Sequence, residues 1–159
     1  MHQPDLVLAP IQLLDYDIAE QALQVHPGAD YDRPPGGVAL GMGVSFNEAD
    51  DRTVSLTLGM GINEKVDDED ANPNNAYYRG RFAVRGEFSW VGGDEIESEE
   101  RRRLMAVNGL AALYGIARVY VRQLSEPIFG PPLVLPMLSF ASTVEPLLRT
   151  SNGGAEAPE

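Results

Sequence analysis

The side chains able to do chemistry in this chain are carboxylates and guanidinium groups, with little beside them. Its 159 residues hold 24 Asp and Glu, 12 Lys and Arg, two histidines and no cysteine. Without cysteine there is neither a disulfide nor a thiolate metal ligand, and His2 and His26 lie far apart in sequence, so no metal site is expected. Paired carboxylates suited to general acid–base work are abundant, as in any acidic chain, but no Ser, His and Asp set accompanies them. Gly41-x-Gly43 and Gly59-x-Gly61 stand inside alternating apolar runs, not ahead of a helix where a phosphate-binding loop belongs. Arg118 and Arg122, four apart, suit acidic partners across an interface. The expectation is a protein with no catalytic activity, metal or cofactor.

The net charge of -12 repels nucleic-acid phosphates and anionic lipid and favours basic partners, so nucleic-acid binding is not expected. With 43% hydrophobic and 23% charged residues the chain buries a core, yet a domain of this size leaves much apolar surface unless it oligomerises. Residues 1–150 read as one domain. The remainder, 151–159, has no apolar residue larger than alanine or proline and reads as a disordered tail. Residues 1–10 lack the basic stretch and apolar run of a signal peptide, and no segment reaches the roughly 18 apolar residues of a membrane span. A cytoplasmic protein without membrane insertion is the expectation.

The elements that position these groups begin with strands. Val38, Leu40, Met42, Val44 and Phe46 alternate with Ala39, Gly41, Gly43 and Ser45, a period of two that puts each set on its own sheet face. The pattern returns over 53–63, with a polar connection at 47–52 short enough for a hairpin. A third run, 77–90, sets Tyr78, Phe82, Val84, Phe88 and Trp90 against Arg79, Arg81, Arg85 and Glu87. Upstream, Ile11 and Leu13 share one parity while Leu14, Tyr16 and Ile18 share the other, so this first strand holds a bulge. Segments 27–37 and 64–75, rich in Pro, Gly, Asp and Asn, are breaks and solvated loops.

After Gly93 the period changes. Residues 97–103 are charged and helix-prone, and Leu110, Leu113, Tyr114, Ala117, Val121 and Leu124 recur at helical spacing. Asn108 suits a cap on a second segment of this helix, and Pro127 and Gly130 end it. Residues 130–136 are too rich in proline for helix, and a short helix follows over 139–148. The fold class is α+β: a four-stranded antiparallel sheet followed by a long helix, a proline-rich crossover and a short C-terminal helix.

Ile116, Ala117 and Arg118, followed by Phe129, Gly130, Pro131, Pro132, Leu133, Val134, Leu135 and Pro136 and then Phe140, resemble the SecB family of export chaperones. In that family a helix with an Ala-Arg pair leads to a proline-rich crossover and a phenylalanine that ends an extended Leu-x-Leu segment. Gly86, Phe88 and Ser89 are similar to a stretch of the family's fourth strand. The resemblance implies an ATP-independent holdase for unfolded or pre-secretory polypeptides. It implies a homotetramer, a dimer of dimers with long apolar grooves, serving protein export and translocation. It makes Tyr114, Ile116, Tyr120, Leu133, Val134, Leu135 and Phe140 the residues that bind unfolded polypeptide.

Two departures bear on the motor SecA as a partner. Arg81 stands where the family's fourth strand carries an outward acidic residue that helps dock SecA, and residues 153–159 lack the Cys and His of a zinc-binding tail. The alternative is a SecB-like oligomeric interaction module dedicated to one partner, such as a toxin–antitoxin-associated chaperone, without SecA coupling. A small-ligand-binding α+β domain is a second alternative. Each apolar helix residue named above is also what a plain core requires.

Overall fold

The computed structural model describes residues 9–25, 38–47, 49–62, 78–126 and 132–152. Four strands, β1 (Ile11–Val25), β2 (Val38–Asn47), β3 (Asp50–Ile62) and β4 (Tyr78–Trp90), precede two helices, α1 (Ser98–Ser125) and α2 (Ala141–Asn152). The strands form one antiparallel sheet in the order β1-β4-β3-β2. The expected loops at 27–37 and 64–75, the helix stop at Pro127 and Gly130, and the start of the crossover at 129–131 lie outside the described residues.

The period of two decides which sheet face is buried. Val54, Leu56, Leu58, Met60 and Ile62 of β3 are buried, as are Phe82, Val84, Phe88 and Trp90 of β4. Onto this face packs the helical stripe of α1, with Met105, Leu110, Leu113, Ala117 and Val121 buried against it. Two glycines set the approach: a Cβ at Gly86 would lie 2.8 Å from Leu113 Cδ2, and one at Gly109 would strike Leu56 Cδ1.

Several expected boundaries move. β1 carries two register shifts, at Leu13/Asp15 and at Ile18/Glu20, where one bulge was expected. The hairpin is tighter than the expected connection at 47–52, because Asn47 already pairs with Asp50. The Asn47 Oδ1 accepts the Ala49 N–H at 3.0 Å, so polar residues finish the turn from within the strand ends. α1 is one continuous helix. Asn108 caps nothing, since its Nδ2 donates to the Leu104 carbonyl one turn back at 2.8 Å, a bond that is available only inside a helix. The Phe140 carbonyl accepts from Thr143 and Val144, both at 3.1 Å, so α2 starts at Ala141, two residues later than expected, and extends to Asn152.

By length and composition α1 would also pass for a membrane span, which corrects the expectation that no segment does. A core helix packed on a sheet meets the same test, and α1 buries its apolar stripe on β3 and β4.

The start of α1 is tied to the hairpin. Arg101, 7% exposed, donates to Asp51 Oδ1 and to the Ile96 carbonyl, each at 3.1 Å. Ser98 Oγ donates to the other Asp51 oxygen at 2.7 Å, and Arg52 pairs with Asp94. Glu99 and Glu100 in the first turn face the positive end of the helix dipole.

Candidate polypeptide-binding site

Residues 132–140 form no helix and no ladder, so their backbone groups need partners from elsewhere. α1 provides them. The Leu133 N–H donates to Ser125 Oγ at 2.8 Å, Arg118 Nε donates to the Leu135 carbonyl at 3.1 Å, and the Tyr114 hydroxyl donates to the Pro136 carbonyl at 2.8 Å. The crossover thus folds back antiparallel along the C-terminal half of α1. Edge-to-face packing of Tyr114 on Phe140, with centroids 5.7 Å apart, closes the far end.

An extended segment laid on a helix sends alternate side chains inward. Leu133 and Leu135 are 2% and 1% exposed, whereas Val134 between them is 60% exposed. Of the seven expected binding residues, Tyr114, Leu133, Leu135 and Phe140 therefore belong to this chain's own core. Ile116 and Tyr120 are half-buried, and Val134 alone stands fully open. The crossover also exposes residues that the sequence reading passed over, Met137 at 79% exposure and Leu138, and Val119 is exposed on the outward side of α1. Arg118 Nη1 reaches Met137 Sδ at 2.7 Å and holds that side chain at the surface. The available signal for these residues was the apolar pair after Pro136, in a stretch with neither helical period nor a strand partner.

A second apolar area lies where α1 meets β1. The Tyr16 hydroxyl hydrogen-bonds that of Tyr120, whose ring lies 6.2 Å from Phe82. Leu13, Leu14 and Tyr16 are exposed, and Leu14 is the residue left unpaired by the first bulge.

Both kinds of tyrosine stay neutral at ordinary pH. The hydrogen bond to Tyr120 pushes the Tyr16 hydroxyl up, and burial pushes Tyr114 up against the opposing pull of Arg118. These phenols donate hydrogen bonds and offer apolar rings, so the site is suited to adsorption by contact area. No group of His, Cys, Asp or Glu able to hold a metal ion occurs among the described residues. Arg81 is exposed on the sheet face away from the helices, opposite Ala22 of β1.

No protein-family model matches the chain, and no curated protein matches it. Among solved structures it is similar to the Mycobacterium tuberculosis Rv1957 SecB-like chaperone in complex with a ChAD peptide from the Rv1956 HigA1 antitoxin. That similarity has 20% identity and a TM-score of 0.58, and it covers 82% of this chain and 91% of the other. The antiparallel sheet, the long helix and the short C-terminal helix have their counterpart there, and the chain has a SecB-like fold.

Proposed function

We propose that this protein is an ATP-independent holdase chaperone that captures non-native polypeptides on the apolar rim formed by the crossover and α1. The observation that carries this reading is the exposure of Val134 and Met137 on the crossover of a fold shared with a peptide-bound SecB-like chaperone. An unfolded chain presents apolar side chains at irregular spacing, so its receptor needs an extended, adaptable surface, and methionine is well suited to one.

The protein acts as a homo-oligomer, with the homotetramer of the resemblance as the expected state, in the cytoplasm. Support comes from the outward side of α1, where Ala111, Ala112 and Gly115 are exposed next to Val119, a face small enough for another helix to approach closely. Clients include pre-secretory chains if the protein serves export through SecA. The reversed charge at Arg81 instead favours service to a dedicated partner, and the antitoxin peptide on the similar chaperone supports that second reading.

Light scattering of unrelated proteins diluted from denaturant tests the proposal without nucleotide. General suppression of aggregation in proportion to the amount of protein added is expected. Suppression confined to one partner selects the dedicated reading, and saturable binding of a compact small molecule without suppression refutes both.

A further inference from the structure

Sulfur enters this chain only through methionine, since there is no cysteine. Four of the five methionines lie among the described residues, and their surroundings differ. Met105 and Met60 are 0% and 3% exposed, and Met42 is partly buried against the core. Met137, on the crossover, is 79% exposed, the highest value among the large apolar side chains described. A thioether is oxidised at a sulfur lone pair, so access decides which methionine reacts first.

Arg118 sets this sulfur apart from one that merely stands in solvent. Its Nε donates to the Leu135 carbonyl at 3.1 Å, and its Nη1 reaches Met137 Sδ at 2.7 Å. No carboxylate pairs with Arg118 among the described residues, whereas Arg52, Arg101, Arg103 and Arg122 each have one. The charge of this guanidinium is therefore spent on a carbonyl and on a thioether, and the thioether is a weak acceptor. A sulfoxide oxygen carries the negative end of the S–O dipole, and a guanidinium bonds it with charge assistance. Leu135 and Pro136, just ahead of Met137, are already tied to α1 by Arg118 and Tyr114. Oxidation adds a tie at the next residue and leaves Leu133, Leu135 and Phe140 in the core.

We infer that Met137 is a reversible oxidation site, at which a hydroperoxide converts an adaptable apolar contact of the rim into a polar one bound to Arg118 and so turns client capture down. The sulfur lone pair attacks one peroxide oxygen, and the O–O bond breaks as the S–O bond forms. The departing hydroxide takes the proton of the transferred oxygen and leaves as water. Sulfur gives up an electron pair and the peroxide accepts it. A methionine sulfoxide reductase reverses the change with a pair of thiols, which become a disulfide as the oxygen leaves as water. The effect on clients rests on the holdase reading; the site itself does not.

The test treats the full chain with dilute hydrogen peroxide, removes the oxidant, and locates the added oxygen by mass spectrometry of the peptides. Met137 is expected to be oxidised before Met42, with Met60 and Met105 last. Binding is read with fluorescent lysozyme held unfolded by reduction and carboxamidomethylation. Its affinity is expected to fall about tenfold on oxidation, the size of one lost methionine contact, and to recover after treatment with methionine sulfoxide reductase and dithiothreitol. Met137→Leu is expected to bind the probe equally before and after peroxide. The urea midpoint of the oxidised wild type is expected to stay at or above that of the untreated protein, because the sulfoxide gains Arg118. Oxygen that appears on Met42, Met60 or Met105 no later than on Met137 overturns the inference. So does unchanged affinity after full oxidation of Met137, an equal loss in peroxide-treated Met137→Leu, or a lower urea midpoint, which marks damage to the fold. If the untreated protein leaves the unfolded lysozyme free, the holdase reading fails and the effect on clients falls with it, while the peptide map still decides the oxidation site.

Discussion

Ser125 is fully buried, and its hydroxyl donates to the Arg122 carbonyl and accepts the Leu133 N–H, both at 2.8 Å. Ser125→Ala leaves a buried N–H without an acceptor, which costs about 1–3 kcal/mol. Tyr114→Phe leaves the Pro136 carbonyl free, but at a more accessible position, and costs about 0.5–1.5 kcal/mol. Urea unfolding is expected to rank the two in that order. Asp51 supplies a pH effect at the same scale. The Ser98 hydrogen bond, aided by Arg101, Arg102 and Arg52, holds its carboxyl below the ordinary aspartate value. A depressed folded-state value gives stability that is present above the unfolded value of about 3.9 and lost as pH falls through the folded one. Thermal melts of the wild type are therefore expected to drop more steeply below that value than those of Asp51→Asn.

Between elements, α1 approaches β3 closely at Gly109, and two glycines of one helix separate packing from propensity. Gly109→Ala gains about 1 kcal/mol of helix propensity, but its Cβ meets Leu56 in a packed interior, where overpacking costs about 1–3 kcal/mol. The net effect expected in chemical denaturation is destabilising. Gly115→Ala has nothing within 4 Å of the new Cβ inside one protomer, so it is expected to gain most of that ~1 kcal/mol in the protomer while weakening the helix contact proposed between copies. The contrast was invisible in sequence, where both glycines sit in the same helical run. β2, β3 and β4 were legible because one buried face enforces strict alternation. The end of β1 was not: 20–24 is polar apart from Ala22 and Leu23, and an edge strand paired on one side needs no apolar period to hold its place. Asn108 misled because its amide serves equally as a cap outside a helix and as a donor to residue i−4 within one.

For the whole molecule, the crossover was legible in the sequence and the facing of its residues was not. The pairing of Arg118 with a proline-rich segment identified the crossover, and the structure brings the two together at the Leu135 carbonyl. Which crossover residues face outward depends on the phase of an extended segment against a helix, and proline at 136 resets that phase before Met137 and Leu138. Substitution of Val134 and Met137 by Asp is consequently expected to leave the melting temperature nearly unchanged, as exposed sites do. The same change is expected to remove most of the aggregation suppression, whereas Leu135→Asp, placed in the core, unfolds the chain.

The central claim is capture of non-native chains by an oligomer with this fold. Its most direct test is size-exclusion chromatography with light scattering, on the protein alone and after mixing with a chemically unfolded client during dilution from denaturant. The account predicts the mass of a tetramer and a client that elutes with it. A monomer that leaves the client to aggregate would contradict it.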